Sequence, residues 1–297
     1  MHDLNFALSE WVGSEEIIVY FVCFCANIRH LAYASIKSYL AGIRNHCITN
    51  DLEYPFVKSN GQPMLQLKLI LKGIKKSRSP KPILRLPITA IIMNKLFTVL
   101  DGKTFGAYED KLMRAATSMA YYGFLRCGEF TTLTKHFDPE SNLCLGDVLI
   151  DSQYPNEVFV LLKSSKTDPF RCGCVIPYFA LPCSFCPVRA IKEFLNERSK
   201  FAMAPAAPLM LFKDHTHLTR TKFLYMLHTT CAQAGISSAG FLGHSFRIGA
   251  ATTCAANGVA DHLIQTLGRW SSDCYKTYVH VSKSAIQQAH TKMASVD

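Results

Sequence analysis

Apolar side chains in the first part of the chain recur at the spacing of amphipathic helices. Residues 14–28 are apolar and rich in aromatic side chains, and by period alone they fit either a helix or a strand. Ser35 is predicted to cap a second helix that extends to Cys47, and a third helix is predicted over residues 63–76. The predicted inward positions of these two helices are Ile36, Tyr39, Leu40, Ile43, Cys47, Leu65, Leu67, Leu69, Ile70 and Ile74. The pattern predicts a small helical domain over residues 1–77.

A run of serine, proline and basic residues interrupts this pattern from Ser77 to Pro87. Such a composition cannot continue a helix and predicts an extended connector. We therefore predict a basic, proline-rich linker over residues 78–88. A second domain over residues 89–297 would then begin with a helix capped by Thr89.

The second domain alternates longer helical patterns with short runs typical of strands. Helices are predicted near residues 89–100, 107–122, 188–200 and 219–234, and strands over residues 143–151, 157–163, 171–178 and 208–212. The predicted fold class is mainly α with a small antiparallel sheet.

Positive charge is concentrated in one part of the chain. Lysine and arginine number 32 against 22 acidic residues, which gives a net charge of +10. Residues 54–100 contain no aspartate or glutamate. This distribution favours a polyanion partner such as DNA, and the alternative is a solvated face with a nuclear-import-like basic cluster. The predicted DNA-binding residues are Lys37, Arg44, Lys72, Lys75, Lys76, Arg78, Lys81 and Arg85.

Twelve cysteines without a recognisable export signal indicate a reducing compartment with free thiols. Cys172, Cys174, Cys183 and Cys186 have a spacing that could form a tetrahedral zinc site. Ordinary thiols are favoured, because neighbouring positions of a strand point to opposite faces and prolines make the second pair a turn. We therefore predict no metal. The longest apolar run is too short to cross a bilayer, so no membrane role is expected.

Residue types that suit phosphate chemistry cluster near the end of the chain. His244 and Arg247 are three apart, so a helix would present both on one face. An arginine offers a planar fork to two phosphate oxygens, and a neighbouring histidine can donate to a third or move a proton. Tyr275 or Tyr278, which follow Trp270, could act as a nucleophile. The alternative is a structural pair beside aromatic residues that only pack.

Two upstream positions match the same kind of site. Arg126 follows an apolar helix, and Glu129 could pair with it or orient it. Two interpretations of Arg126 therefore stay open, a phosphate-binding arginine and a member of a structural ion pair. Lys163 and Lys166 lie on a predicted hairpin tip, with Lys166 nearer the tip. Such a lysine could act as a general acid or remain a plain solvated lysine.

Together these motifs resemble those of the tyrosine recombinase (phage integrase) family over nearly the whole chain. The resemblance rests on FLRCGEF at 124–130, SSKTDPFR at 164–171, HSFRIGAAT at 244–252 and LGRWSSDCYKTYVHV at 267–281. The N-terminal domain also looks like the family's helical, SAM-like core-binding domain, without its first helix. The amino-acid sequences of these motifs are most similar to those of eukaryotic Crypton and DIRS-type transposon recombinases. The resemblance implies a core-binding domain followed by a DNA breaking-rejoining catalytic domain.

The resemblance also implies how the phosphate is bound. Arg126 and Arg247 would clamp the non-bridging oxygens of the scissile phosphate and stabilise the developing charge. Glu129 would support Arg126. Trp270 would take the position that histidine has in many members and donate its indole N–H to the phosphate.

The remaining residues would carry out the chemical step. Tyr278 would attack phosphorus and form a 3′-phosphotyrosyl intermediate without metal or ATP, His244 would assist the proton transfer, and Lys166 would protonate the departing 5′-oxygen. In the family the nucleophile usually follows the Trp or His position by nine residues, whereas Tyr278 follows Trp270 by eight and Tyr275 by five. Tyr278 is preferred because YVHV matches the family's ending, and Tyr275 would face the opposite side of a helix.

The resemblance therefore implies a site-specific DNA recombinase or integrase that acts as a homo-tetramer on double-stranded DNA. Its location would be the nucleus in a eukaryote, or the cytoplasm and nucleoid in a prokaryote. Two alternatives stay open. One is a domesticated, transposon-derived DNA-binding protein without catalysis, and the other is a type IB topoisomerase-like enzyme that relaxes DNA as a monomer. No cofactor is expected for any of them.

Overall fold

A computed structural model of the chain divides into two compact units, Met1–Ile83 and Leu84–Asp297. It describes residues 14–52, 56–58, 60–77, 85–165, 168, 170, 172–201, 204–280, 286, 287, 290, 291 and 293. The predicted functional residues Arg78, Lys81 and Lys166, and most of the predicted linker, lie outside the described residues.

In the first unit, the described residues form three helices that pack around one apolar core. They are α1 (Glu15–Asn27), α2 (Tyr33–Thr49) and α3 (Leu65–Ser77). Residues 14–28, which fit a helix or a strand by period, form the helix α1. Ser14 caps it by accepting a hydrogen bond from the Ile17 N–H (3.4 Å), and two glutamates occupy its first turn. The buried core residues are Ile18, Val22, Cys25, Ala26, Ile36, Leu40, Met64, Leu67 and Ile74.

Several predicted details of the first unit are wrong. Helix α2 begins at Tyr33 after Ala32, so Ser35 lies inside the helix and does not cap it. Tyr39, Leu65 and Leu69 were predicted to point inward, but they are 52%, 59% and 67% exposed. Each of these three helices buries only one narrow stripe of side chains, and these three residues lie beside that stripe.

The second unit is mainly helical. Its helices are α4 (Ala90–Val99), α5 (Ala107–Tyr122), α6 (Cys127–Phe130), α7 (Pro187–Arg198), α8 (Arg220–Gln233), α9 (Ser245–Ala256) and α10 (Asp261–Leu267), with 3₁₀ segments at Leu145–Asp147 and Asp273–Tyr278. Helix α5 is central, because it packs against both α7 and α9. Its side chains at Leu112, Ala116 and Met119 have no exposed surface. No helix in the described part of the chain is long and apolar enough to cross a membrane.

A small antiparallel sheet completes the second unit. Strands β1 (Val148–Leu149), β2 (Glu157–Leu162) and β3 (Cys174–Phe179) pair in the order β1-β2-β3. The predicted fold class, mainly α with a small antiparallel sheet, is confirmed. The predicted strand at 208–212 is wrong, since this segment makes only isolated bridges. Residues 209–212 are all buried, so their apolar character reflects burial and not strand pairing.

The segment before α4 crosses the start of α9 at very short range. The Leu86 N–H donates to Gly240 O and the Ile88 N–H donates to Ser245 O, both at 2.9 Å. A Cβ atom added to Gly249 would lie 1.8 Å from the carbonyl oxygen of Ile88. Only glycine therefore allows this crossing, which holds the first turn of α9 in place.

We expect Gly249→Ala to lower the free energy of unfolding by at least the roughly 1–3 kcal/mol that is typical of overpacked cores. The obstacle is backbone, which cannot rotate away as a side chain can. Urea denaturation followed by circular dichroism measures the change. Gly128→Ala is the matched control in the same unit, because its added Cβ meets nothing within 4 Å. Equal stability of the two variants would contradict the crossing.

Candidate active site

The residues of the predicted site come from three connections of the second unit. Arg126 precedes α6, His244 and Arg247 lie at the start of α9, and Trp270 and Tyr278 belong to the segment that follows α10. The fold brings these side chains together although they are far apart in the sequence. Lys166 is the predicted catalytic residue that lies outside the described residues.

Arg126 and Glu129 form an ion pair. Arg126 Nη1 donates to Glu129 Oε1 (2.9 Å), and the Arg126 backbone N–H donates to Glu129 Oε2 (2.8 Å). The Glu129 side chain is 5% exposed and the Arg126 side chain 16%. The pair is therefore largely buried, and the Arg126 side chain keeps a small exposed fraction.

Arg247 is buried and binds backbone oxygens. It is 1% exposed, its Nη1 donates to Phe124 O (2.7 Å), and its Nη2 donates to Gly268 O. The guanidinium carbon lies 4.3 Å from the centre of the Trp270 ring, which is a cation–π distance. Burial, followed by the charges of Arg126 and Arg269, lowers the pKa of Arg247 to about 10. The buried Nε has no hydrogen-bond partner among the described residues.

His244 stands at the N-cap of α9, one residue before the helix begins. It was predicted to share a helix face with Arg247, and instead it precedes the first helical turn. Its buried Nδ1 has no hydrogen-bond partner in the part of the chain that is described. Burial is the main cause that lowers the pKa of His244, and four positive charges add to it. In order of effect these charges are Arg85, Arg220, Arg247 and Arg126. The lowered pKa favours the neutral form of the imidazole.

Both candidate tyrosines pack against Trp270. The ring centroids of Trp270 lie 6.1 Å from Tyr275 and 5.3 Å from Tyr278. The prediction that Tyr275 faces away is wrong, because Asp273–Tyr278 is a 3₁₀ helix, in which residues three apart share a side.

The two tyrosines differ in their surroundings. Tyr275 is 3% exposed, and burial together with a hydrogen bond to the Asp261 carboxylate raises its pKa. Tyr278 is only partly buried, and its hydroxyl is close enough for its charge to act on Arg247. Its backbone carbonyl accepts a hydrogen bond from Thr252 Oγ1 (3.2 Å). Tyr278 is therefore the tyrosine that is available beside the arginines.

Lys163, the other predicted hairpin lysine, is held by the protein. Its Nζ lies 2.9 Å from Asp147 Oδ2 and donates to Pro139 O (2.7 Å). Burial would lower the pKa of Lys163, but its hydrogen bonds to Asp147 and Cys144 outweigh that effect and raise it. These contacts favour a structural role for Lys163.

Two arginines of the site were not predicted. Arg269 Nη2 donates to Glu129 Oε2 (2.8 Å), so Glu129 pairs with Arg269 as well as with Arg126. Arg220, the first residue of α8, acts on His244. The basic residue directly before Trp270 could have been singled out in the sequence, whereas no local pattern marks Arg220.

The site therefore has more positive than negative charge. Arg126 and Arg269 both pair with the carboxylate of Glu129, whose charge also acts on Arg247, and Arg85 and Arg220 add further positive charge near His244. Buried cations need counter-charges or strong hydrogen bonds. An anion bound among these arginines would supply both, and a phosphodiester has the oxygens that guanidinium groups bind best.

The remaining predictions concern metals and the basic surface. Among the described residues no group of three or more His, Cys, Asp or Glu side chains could hold a metal ion, and this includes the four cysteines named above. The DNA-binding candidates that the structure describes are all exposed, namely Lys37, Arg44, Lys72, Lys75, Lys76 and Arg85. In the first unit, Lys37 and Arg44 line the same groove, whose floor is apolar.

We expect the pKa of His244 to lie below the usual imidazole value of about 6.5, because burial and nearby guanidinium groups oppose protonation. The unfolded state then binds this proton more readily, so the imidazole lowers stability as the pH falls below about 6.5. Inorganic phosphate bound among the arginines should raise the pKa of His244. NMR titration of the histidine rings measures both values, with His244→Gln to assign the signal. A titration that phosphate leaves unchanged would contradict an anion site.

Comparison with known proteins gives a fold but no sequence family. No protein-family model matches the chain, and no curated protein sequence matches it. Among solved structures, the XerH site-specific recombinase in a post-cleavage complex with difH substrate is similar over 95% of this chain and 73% of that chain, with a TM-score of 0.63 and 16% identity.

Two further recombinase structures are similar over most of their length. XerA recombinase matches 99% of this chain and 87% of that chain, with a TM-score of 0.52 and 18% identity. The Tn1549 transposon integrase in complex with transposon right end DNA matches 95% of this chain and 86% of that chain, with a TM-score of 0.57 and 14% identity. At such low identity the likeness establishes the fold alone. The chain therefore shares its fold with these recombinase and integrase structures.

Proposed function

We propose that the protein is a site-specific DNA recombinase or integrase, which cleaves and rejoins DNA through a tyrosine nucleophile. The observation that carries the proposal is the group of Arg126, His244, Arg247 and Tyr278, in which the Trp270 ring lies against Arg247 and Tyr278. This group combines unbalanced positive charge with buried donors and a partly exposed tyrosine. The fold shared with XerH and the Tn1549 integrase supports the same reaction class.

The arginines would bind the scissile phosphate. Arg126, whose side chain is 16% exposed, would donate from its guanidinium group, and Arg247 would donate from the Nε that lacks a partner among the described residues. Donors that are already held in place stabilise the charge of the pentavalent transition state without reorganising, and each is typically worth about 10²–10³ in rate. The Trp270 ring, which lies against Arg247 and Tyr278, would keep these two groups together.

Strand cleavage would leave the phosphate on the 3′ end of the cut strand and transfer its bond from the 5′-oxygen to Tyr278. The Tyr278 hydroxyl oxygen attacks phosphorus, a bond forms between them, and the bond from phosphorus to the 5′-oxygen breaks. His244, neutral because its pKa is lowered, can accept the tyrosine proton, and Lys166 would protonate the departing 5′-oxygen. The 3′-phosphotyrosyl bond keeps the energy of the phosphodiester, so the reverse attack rejoins DNA without metal or ATP.

The partner would be double-stranded DNA. The exposed basic residues of the first unit suit the phosphate backbone. The XerH and Tn1549 integrase structures contain DNA. We extend the proposal to a homo-tetramer on DNA, since exchange between two duplexes involves four strand cleavages. The same proposal includes an origin close to Crypton or DIRS-type elements and action in the nucleus.

A second function is favoured by one feature of the site. Both terminal nitrogens of Arg247 bind backbone carbonyls, and the residue is 1% exposed. If this arrangement persists on DNA, Arg247 supports the fold and does not clamp a phosphate. The protein would then bind DNA without cleaving it, as a domesticated copy of a transposon recombinase would.

We expect Tyr278→Phe to abolish a covalent protein–DNA adduct that wild type and Tyr275→Phe form. Phenylalanine keeps the ring against Trp270 and removes only the hydroxyl. The assay incubates each protein with a pool of randomised duplexes that carry one nick. Cleavage near the nick releases a short fragment, which diffuses away, and its loss prevents rejoining. Denaturing gels then detect labelled DNA attached to protein.

Tyr275→Phe is the matched control, because Tyr275 packs on the same tryptophan but its hydroxyl is hydrogen-bonded to the Asp261 carboxylate. An adduct that persists in Tyr278→Phe and disappears in Tyr275→Phe would overturn the choice of nucleophile. Salt-sensitive DNA binding by a wild type that forms no adduct would support the non-catalytic function.

Lys166→Ala should slow cleavage by roughly 10²–10⁴, the usual contribution of a general acid. A duplex whose scissile 5′-oxygen is replaced by sulfur has a leaving group that needs no proton, so the variant should cleave it at close to the wild-type rate. Single-turnover rates on the two duplexes measure the effect. Lys163→Ala is the control, since Lys163 is bound to Asp147 and Pro139. If the sulfur-containing duplex restored the cleavage rate of Lys163→Ala but not of Lys166→Ala, Lys163 would be the general acid instead of Lys166.

A further inference from the structure

Arg269 is a charged residue of the site to which the proposed reaction assigns no role. It lies in the turn between α10 and the 3₁₀ segment that carries Tyr278. Its Nη2 donates to Glu129 Oε2 and its Nη1 donates to Gly123 O, both at 2.8 Å. Arg269 therefore joins the segment of the tyrosine to the turn that leads into Arg126.

The Glu129 carboxylate is shared between two arginines. Its Oε1 accepts from Arg126 Nη1 (2.9 Å), and its Oε2 accepts from the Arg126 backbone N–H and from Arg269 Nη2, both at 2.8 Å. The side chain of Glu129 is only 5% exposed, so these donors determine its orientation. Without Arg269, Oε2 would lose a charge-assisted hydrogen bond, and the carboxylate would hold Arg126 less firmly.

The backbone around this contact is strained. Arg269 has a φ of +54° and Phe124 a φ of +49°, a left-handed conformation that costs a residue other than glycine roughly 1–2 kcal/mol. The Phe124 carbonyl accepts from Arg247 Nη1 (2.7 Å) and from Arg269 Nη2 (3.4 Å). Two strained residues that meet in one hydrogen-bonded cluster indicate a conformation that surrounding contacts enforce, as is common at functional sites.

We propose that Arg269 is a positioning residue for DNA cleavage. It fixes the Glu129 carboxylate, and through Glu129 it holds the Arg126 guanidinium where a phosphate can bind. Both terminal nitrogens of Arg269 bind protein oxygens, and its buried Nε has no partner among the described residues, so the positioning role itself requires no contact with DNA. This inference rests on the proposed function.

The test uses Arg269→Gly, Arg269→Lys, Glu129→Gln and the double variant Arg269→Gly/Glu129→Gln. Glycine accepts a φ of +54°, so the substitution removes the side chain without leaving backbone strain. On the nicked duplexes at saturating concentration, Arg269→Gly should slow single-turnover cleavage about 10²-fold, as expected for a misplaced catalytic group. The Kd for DNA should change less than about threefold, and Arg269→Lys should retain part of the rate.

Coupling between the two residues distinguishes positioning from a general structural role. If Arg269 acts through Glu129, Arg269→Gly should cost little further rate in the Glu129→Gln background. Rate losses that multiply in the double variant would overturn the proposal. A wild-type rate in Arg269→Gly, or a loss confined to the Kd for DNA, would also overturn it.

A second measurement separates this inference from the proposed function. Inorganic phosphate at constant ionic strength should raise the Tm of wild type and of the control Lys111→Ala, whose ion pair with Glu197 involves none of the site residues. The rise should be clearly smaller in Arg269→Gly, where Arg126 is no longer held. If wild type forms no adduct, the proposed function fails, yet this comparison still decides the positioning role. An equal phosphate effect in wild type and Arg269→Gly would overturn that role.

Discussion

The burial of the Arg247 guanidinium is the constraint on which the site depends. A cation that is 1% exposed must be compensated, and the structure does this with the carbonyls of Phe124 and Gly268 and the ring of Trp270. These groups belong to the turn after α5 and to the segment after α10. Because Arg247 itself lies on α9, one side chain joins the three connections from which the site is built. The close crossing at Gly249 holds the same helix from its other side.

The chemistry that we propose follows from an imbalance of charge. Arginines around Glu129 and His244 outnumber the carboxylates, and buried nitrogen atoms of His244 and Arg247 lack partners among the described residues. Burial, followed by the same positive charges, lowers the pKa of His244 and so favours the neutral imidazole, the form that can accept a proton. A bound phosphodiester would neutralise the excess charge and use the unpaired donors. The electrostatics and the proton transfer therefore favour the same ligand.

Local patterns predicted the elements of the fold better than the contacts of the site. The Arg126–Glu129 pair is visible in the sequence because its partners are three residues apart, whereas Arg269 binds Glu129 across 140 residues. Tyr275 was misplaced because an α-helix was assumed where the chain forms a 3₁₀ helix. The exposed Leu65 and Leu69 show that apolar composition does not specify which stripe of a helix is buried. Such features depend on tertiary packing, which no short pattern contains.

The most direct test of the account is a crystal structure of the protein with a cleaved duplex and orthovanadate, which adopts the geometry of a pentavalent phosphate. The account predicts vanadium bonded to the Tyr278 hydroxyl oxygen and to the DNA 5′-oxygen, with Arg126, Arg247 and His244 around its equatorial oxygens. Arg247 would then donate to vanadate while it still supports the turn at Phe124. A structure with DNA bound but with Arg247 still confined to the two carbonyls, and with vanadate absent from Tyr278, would contradict it.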